Sequence, residues 1–172
     1  MEGAAAEAEA ATAAQPPRHV QRIVRVVSVE VALPDQFPTV TLEDAEGHRG
    51  RLAFRIGTAE GVALAHALAG TSPARPSTHE LFALALERCG VDILAVRLTG
   101  RVGATYLAEL ELLGASGRQV LQCRPSDGIC LALRQRVPAP VLCDERLFSS
   151  SGDVLPEGLA GDASPEGPAG GQ

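Results

Sequence analysis

The feature that most constrains the fold of this chain is an internal repeat, because the sequence matches itself at an offset of 67 residues. At this offset, alternating apolar positions coincide, glycines that mark turns coincide, and an acidic residue followed by glycine recurs. The matched positions are Val27, Val29 and Val31 with Leu94, Val96 and Leu98; Gly47, Gly50 and Arg51 with Gly114, Gly117 and Arg118; and Glu60-Gly61 with Asp127-Gly128. Such self-similarity predicts two similar halves.

Each half has the pattern of three strands followed by a helix. In the first half, alternation of apolar and polar residues predicts strands over 23–33, 39–43 and 51–56. From Thr58 the apolar spacing becomes that of a helix. The middle strands of the two halves alternate out of phase, so we expect a bulge or a change of turn length there. The residues predicted to share the apolar face of the first helix are Val62, Ala65, Leu68 and Ala69.

A further helix is predicted between the halves, over residues 78–89. Ser77 and Glu80 have the spacing of a capping box, and Gly90 is a typical helix terminator. The sequence therefore predicts a single α+β domain, built from a duplicated strand-strand-strand-helix unit with a connecting helix and a mixed or antiparallel sheet.

The two ends of the chain differ in composition from the middle. Residues 1–19 are rich in Ala and Glu, and residues 149–172 are mostly Ser, Gly, Asp, Pro, Glu and Ala. Neither end has enough large apolar residues to offset the entropy of ordering it, so we predict disordered tails and a folded domain over 20–148. That domain contains 14 Arg, nine Glu and five Asp, so its net charge is zero and it shows no overall basic character.

Targeting signals and cysteine spacing indicate a cytoplasmic protein. No apolar run approaches the ~20 residues of a membrane helix, and the N-terminus lacks a basic-then-apolar signal pattern. The cysteines lack the paired short spacing of a zinc site, so we expect free, buried thiols in a reducing compartment. These cysteines are Cys89, Cys123, Cys130 and Cys143.

The segment QCRPSDGICLAL, at 122–133, allows two interpretations. Proline is tolerated in a first helical turn, and Ser126 or Asp127 can cap free N–H groups, so the segment can be a helix start with Arg124 paired to Asp127. Alternatively, the free N–H groups and Arg124 bind a phosphate, although the charge of Asp127 opposes a second anion.

Two further groups of polar residues are candidates for a metal-binding or catalytic role. The repeat gives Glu60 and Asp127 equivalent positions, and two close carboxylates can hold Mg²⁺ or Mn²⁺ and activate water. The alternative is two independent acids at helix starts. His79 lies beside Glu80 and four residues after Arg75, where it can act as a general acid or base, or serve only as an exposed first-turn residue.

Three segments resemble the bifunctional nuclease domain family: RPSTHEL at 75–81, RPSDGICLALR at 124–134 and PAPVLCDERLF at 138–148. The resemblance extends over about residues 22–148. It implies a duplicated α+β fold, a dimer, and DNase and RNase activity. The family often has Asp where this chain has Gln122, so a metal site would lose one potential ligand here, and it usually has Ala at the position of Gly128.

From the residues and the resemblance together, we predict a cytoplasmic bacterial nuclease that hydrolyses DNA or RNA and forms a homodimer. The arginines would neutralise phosphate, Asp127 or Glu80 would hold a divalent ion, and His79 would transfer a proton. The alternative is a non-catalytic oligomeric binding or regulatory module, favoured by the zero net charge of the domain, the few aromatic residues and Gln122. The predicted catalytic residues are Arg75, His79, Glu80, Arg124 and Asp127, and the predicted ligands of Mg²⁺ or Mn²⁺ are Glu60 and Asp127.

Overall fold

A computed structural model describes residues 20–32, 34, 36–47 and 50–149 of the chain. The predicted tails, 1–19 and 149–172, lie outside the described residues except for Ser149, where the last helix ends. The elements follow one another in the order β1 (Gln21–Glu30), β2 (Thr39–Asp44), β3 (Arg51–Arg55), α1 (Thr58–Leu68), α2 (Thr78–Arg88), β4 (Asp92–Val102), β5 (Thr105–Gly114), β6 (Gly117–Cys123), α3 (Pro125–Arg134), β7 (Val141–Asp144) and α4 (Arg146–Ser149).

The described strands form one mixed sheet in the order β3-β2-β1-β7-β4-β5-β6. Two antiparallel meanders flank β7, which pairs antiparallel with β1 and parallel with β4. The prediction of a single α+β domain with a mixed sheet is therefore confirmed. The order strand-strand-strand-helix occurs twice along the chain. Whether the two halves superpose is a separate question, so the duplicated unit stays a prediction.

The core lies between one face of the sheet and the helices, and α3 is the helix nearest its centre. Ile129, Cys130 and Ala132 are fully buried, and α3 contacts α1, α2, β4 and β5. Gly128 permits this close approach, because a Cβ atom there would lie 3.0 Å from both Val96 Cγ1 and Cys123 Sγ. The start of α3 is thus fixed against the sheet, together with the polar residues around it.

Several local predictions are confirmed at the start and end of α2. Ser77 is its N-cap, and both hydrogen bonds of the capping box with Glu80 are present. The helix is followed by Gly90 with φ +66°, a conformation that residues with a Cβ rarely adopt. The register shift of the β1–β2 pair lies on β1, between Val26 and Ser28, and the β4–β5 pair has two further shifts on β4. The bulges therefore lie on the first strand of each half and not on the middle strands, where one was expected.

Two predictions about burial were wrong. The face of α1 predicted to be apolar is largely exposed, at Val62, Ala65 and Leu68, and the helix buries Gly61, Ala63 and Leu64 instead. Gly61 decides this orientation, because its missing side chain lets Pro38 lie against the helix, where a Cβ would come within 2.5 Å of Pro38 Cγ.

The second wrong prediction concerns the cysteines. All four are free, as expected, and Cys130 and Cys143 are buried, but Cys89 is exposed because it follows the peripheral helix α2. Among the described residues, no helix is long and apolar enough to cross a membrane.

Candidate functional site

Four polar residues meet where the first turns of α1, α2 and α3 approach one another, and we call them the Arg124 cluster. Glu60 lies in the first turn of α1, His79 in that of α2 and Asp127 in that of α3, while Arg124 is the N-cap residue of α3. Helix N-termini favour acidic side chains because the helix dipole is positive there. The local sequence therefore places two carboxylates at this point, and the packing of the three helices brings them to one arginine.

Arg124 bridges the two carboxylates. Its Nη1 lies 2.8 Å from Glu60 Oε1, while Nε and Nη2 donate to the two oxygens of Asp127 at 2.7 and 3.0 Å. These contacts use three of the five N–H groups of a guanidinium. Two N–H groups remain for another acceptor, and the Arg124 side chain is exposed to solvent.

His79 completes the cluster through Asp127. Its Nε2 lies 3.0 Å from Asp127 Oδ1. Burial raises the pKa of Asp127, but hydrogen bonds from Arg124 and His79 outweigh it and hold this pKa below its ordinary value. Asp127 is therefore ionised near neutral pH, and an ionised carboxylate can only accept a hydrogen bond. The proton consequently lies on Nε2, and Nδ1 carries a lone pair when His79 is neutral.

The side chain of Asp127 does not cap α3, contrary to one interpretation of the sequence. The N-cap residue of α3 makes no side-chain capping bond, and both oxygens of Asp127 are directed to Arg124 and His79. The predicted pairing of Arg124 with Asp127 is present. Pro125 occupies the first turn, as the sequence indicated.

Glu80 lies outside the Arg124 cluster, although it follows His79 directly. Its Oε1 accepts from Arg134 Nη1 at 2.6 Å, and both side chains are buried; we call these two residues the Arg134 pair. Burial would raise the pKa of Glu80, but hydrogen bonds from Ser77 and Ser72 and the charge of Arg134 lower it to about 2. Arg134 also donates to Thr71 O and Ser72 Oγ, each at 3.1 Å. The Arg134 pair therefore fastens α2 and the preceding loop to the C-terminal end of α3.

Arg75 and Gln122 are the two remaining positions singled out by the sequence. Arg75 lies in the exposed loop before α2 and makes no hydrogen bond or ion pair with any described residue. Gln122 lies on β6, opposite Glu109 of β5. The side chain of Cys123 is directed to the helices, near Gly128, so that of Gln122 is directed to the opposite face of the sheet. An acid at position 122 would therefore not reach the Arg124 cluster.

The cluster does not fit the predicted divalent-ion site. No group of three or more His, Cys, Asp and Glu within the described ranges could hold a metal ion. Glu60 and Asp127 are brought together as predicted, but the guanidinium of Arg124 lies between them. A cation at that place would have to displace a positive charge that both carboxylates already bind.

A cavity of about 860 Å³ opens beside α2. One wall is the face of α2 that carries Ala83 and Leu84, the other is the loop with Pro138 and Pro140, and the Arg134 pair also lines it. Its size is typical of ligand-binding pockets. The residues that line it include Glu80 and Arg134 but no member of the Arg124 cluster.

The model of the bifunctional nuclease domain matches residues 40–155, which include every member of the Arg124 cluster and the Arg134 pair. The chain belongs to this family. Two uncharacterized proteins from strains of Mycobacterium tuberculosis are each 32% identical over 135 residues, which cover 78% of this chain and 78% of each relative. Bifunctional nuclease 1 of Arabidopsis thaliana is 30% identical over 114 residues, covering 63% of this chain and 35% of that protein. The bifunctional nuclease domain thus spans most of the described sheet and helices.

Sequence reasoning missed Arg134, which lies in the same RPSDGICLALR segment as Arg124. Its partner Glu80 is 54 residues away, and the contact depends on how α2 packs on α3. The one available signal was Glu80 itself, because a carboxylate at the N3 position of a capping box has one oxygen left for a partner.

Proposed function

We propose that this chain is a nuclease that cleaves phosphodiester bonds at the Arg124 cluster. Membership of the bifunctional nuclease domain family supports a nuclease-like function. The observation that carries the proposal is the combination of two uncommitted N–H groups on exposed Arg124 with an ionised Asp127 that orients His79. Arginine binds phosphate through paired N–H groups, and histidine transfers protons near neutral pH.

The members of the cluster have separate roles in this proposal. Arg124 binds the scissile phosphate and stabilises charge on its oxygens during cleavage. His79 exchanges a proton through Nδ1, while Asp127 fixes the orientation of its ring. Glu60 holds the guanidinium of Arg124 in place. Arg75 is a candidate for a neighbouring phosphate of the strand because it is exposed and has no partner among the described residues.

Glu80, although predicted from the sequence as catalytic, has a structural role in this proposal. It fastens α2 to the C-terminal end of α3 through Arg134, so its loss is expected to lower stability and not the rate of the folded protein.

The Mg²⁺ or Mn²⁺ ion predicted at Glu60 and Asp127 stays a prediction. If bound, such an ion would supply Lewis-acid activation of the phosphate or of water. Since the cluster in its described arrangement does not fit the ion, no step is assigned to it here. Metal dependence is decided by measuring cleavage in chelator and after restoring Mg²⁺ or Mn²⁺.

The proposal is tested with labelled RNA and plasmid DNA, each with and without divalent ions. We expect the wild-type chain to cleave at least one of them, and Arg124→Gln to lower kcat/KM by roughly 100-fold or more, the usual cost of removing a donor to a reacting oxyanion. Arg88→Gln is the matched control, because Arg88 is an exposed arginine in the last turn of α2. A wild-type chain that cleaves neither substrate above a mock preparation would rule out the nuclease.

A non-catalytic oligomeric module is the second candidate. The zero net charge of residues 20–148 and the presence of a single Tyr, four Phe and no Trp favour it, because nucleic-acid surfaces are usually basic and often aromatic. We also propose a homodimer in the cytoplasm. β6 is an edge strand with exposed Val120 and Leu121, and all four thiols are free. Light scattering of the purified chain distinguishes monomer from dimer.

A further inference from the structure

Gly57, the N-cap residue of α1, has a backbone conformation that does not require glycine. Its φ and ψ are −68° and 156°, an extended conformation that every amino acid adopts readily. Glycine loses more conformational freedom on folding than any other residue, so a position of this kind ordinarily favours a residue with a side chain. The reason for the glycine therefore lies in the space around it.

The space beside Gly57 is occupied by the carboxylate of Glu60. A Cβ atom at Gly57 would lie 2.2 Å from Glu60 Oε2 and 3.2 Å from Glu60 Cδ. Non-bonded carbon and oxygen atoms do not approach as closely as the first of these distances. An alanine at position 57 is therefore incompatible with the present position of the Glu60 carboxylate.

The other oxygen of the same carboxylate binds Arg124. Glu60 Oε1 lies 2.8 Å from Arg124 Nη1, while Asp127 binds Nε and Nη2 of the same guanidinium. The Glu60 carboxylate is thus held between the backbone of Gly57 and the guanidinium of Arg124. Because the Arg124 side chain is exposed, its orientation depends mainly on these two carboxylates.

The start of α2 shows that a glutamate at this helical position does not in general require a glycine before it. Glu80 lies three residues after its N-cap residue, Ser77, as Glu60 does after Gly57, and Glu80 also binds an arginine. Its other oxygen accepts from the backbone N–H of Ser77 at 2.7 Å, and the N-cap residue there has a side chain. Gly57 is therefore explained by the direction in which Glu60 reaches Arg124 on α3.

We propose that Gly57 is a positioning residue of the Arg124 cluster, because its missing side chain leaves the place of the Glu60 carboxylate and so fixes the guanidinium of Arg124. The effect on cleavage rests on the nuclease function proposed above, whereas the effect on Arg124 itself does not. In Gly57→Ala the flexible end of Glu60 moves away, and Nη1 of Arg124 loses this partner. The guanidinium is then held by Asp127 alone.

The first test is a double-mutant cycle on cleavage of the RNA or plasmid DNA that the wild-type chain cleaves. We expect Gly57→Ala to lower kcat/KM by roughly 10- to 100-fold, because displacing a reacting group by about 1 Å can cost about 100-fold. Glu60→Ala should lose about as much. In the Glu60→Ala background, Gly57→Ala meets no carboxylate and should change kcat/KM by less than about twofold. An equal loss in both backgrounds, or a wild-type rate of Gly57→Ala, would overturn the inference.

Gly100→Ala is the matched control for the added methyl group. Gly100 lies on β4 without a positive φ, and a Cβ there would lie 3.8 Å from Leu107 Cδ1, an ordinary contact. We expect this variant to keep the wild-type kcat/KM, and a loss equal to that of Gly57→Ala would contradict a specific role of Gly57. Circular dichroism checks folding. A Gly57→Ala protein that fails to fold would show that the fold itself requires the glycine, and would also overturn the inference.

The second test observes Arg124 by nuclear magnetic resonance and is independent of cleavage. The Nη1 protons of a slowly rotating guanidinium give resolved signals in isotope-labelled protein, and those of Arg124 are assigned by their absence from Arg124→Gln. We expect these signals in the wild-type chain and expect Gly57→Ala and Glu60→Ala to lose them, while the Nε–H bound to Asp127 stays visible. Nη1 signals that persist in Gly57→Ala, or that are missing from the wild-type chain, would overturn the inference. If the wild-type chain cleaves neither nucleic acid, the nuclease function fails and this measurement still decides the role of Gly57.

Discussion

The two ends of α3 each carry an arginine bonded to a carboxylate, and they differ mainly in their access to solvent. At the N-terminal end, the side chains of Arg124 and Asp127 are 66% and 26% exposed. At the C-terminal end, those of Arg134 and Glu80 are 9% and 5% exposed. The chemical groups are the same, but Arg124 and Asp127 both belong to the start of α3, whereas Arg134 and Glu80 join α3 to α2.

This difference in solvent exposure indicates different roles for the two pairs. A buried charge that loses its partner is left without solvent to stabilise it, whereas an exposed one is rehydrated. Arg134 donates through Nη1 to Glu80, Thr71 and Ser72, and its side chain is only 9% exposed, so it has little capacity to bind a ligand. Arg124 keeps two N–H groups and faces solvent. The Arg134 pair therefore stabilises the fold. The Arg124 cluster, at the other end of α3, has the exposed groups that can bind a substrate.

The largest effect is expected from breaking the Arg134 pair. Glu80→Gln keeps the size of the side chain but leaves Arg134 as an uncompensated buried charge, so the free energy of unfolding should fall by about 3–5 kcal/mol. Urea denaturation measures this fall. Glu87→Gln, on an exposed position of the same helix, is the control and should change it by less than about 0.5 kcal/mol. A Glu80→Gln protein as stable as the control would contradict the structural role of the pair.

Lowering the pH is expected to have a smaller effect on stability, and it acts on the Arg134 pair without a substitution. The pKa of Glu80 is lowered from 4.5 to about 2 in the folded protein, so its stabilising contribution is present above pH 4.5 and is lost as the pH falls towards 2. The stability difference between wild type and Glu80→Gln should therefore shrink over this range. Denaturation curves at a series of pH values measure it, and a difference that stays constant down to pH 2 would speak against the assignment.

The smallest effect on stability is expected at the other end of α3. Arg124→Gln removes ion pairs in which the arginine faces solvent, so the free energy of unfolding should change by less than about 1 kcal/mol. The same urea experiment gives the value, with Arg88→Gln as its control. A loss as large as that of Glu80→Gln would mean that Arg124 holds the helices together, as the non-catalytic interpretation requires.

The sequence predicted features that depend on residues within one turn of each other. The capping box of Ser77 and Glu80, the proline at the start of α3 and the pairing of Arg124 with Asp127 all involve such neighbours. The strand pattern was also readable, because alternation is local. These features predicted the α+β class and the positions of β2, β3 and α2, whereas β7 and α4 were not predicted.

Contacts between distant residues were harder to predict. Glu60 and Asp127 both bind Arg124, and no sequence signal indicated that this arginine lies between them. The buried face of α1 was misassigned because its packing depends on Pro38, 23 residues before Gly61. In each case the outcome depends on how helices pack across the sheet, and a single sequence contains no direct signal for that.

The central claim is that the N-terminal end of α3 carries the catalytic residues and that the C-terminal end stabilises the fold. One paired measurement tests this claim most directly. Cleavage per folded molecule is measured for Arg124→Gln and Glu80→Gln on the RNA or plasmid DNA that the wild-type chain cleaves, with the folded fraction taken from the denaturation curves. We expect Arg124→Gln to lose roughly 100-fold or more in kcat/KM while remaining as stable as wild type. The folded fraction of Glu80→Gln should keep a rate within about threefold of wild type, because it has lost a packing contact and no contact with substrate. Equal losses in both variants, or a wild-type rate in Arg124→Gln, would contradict the claim.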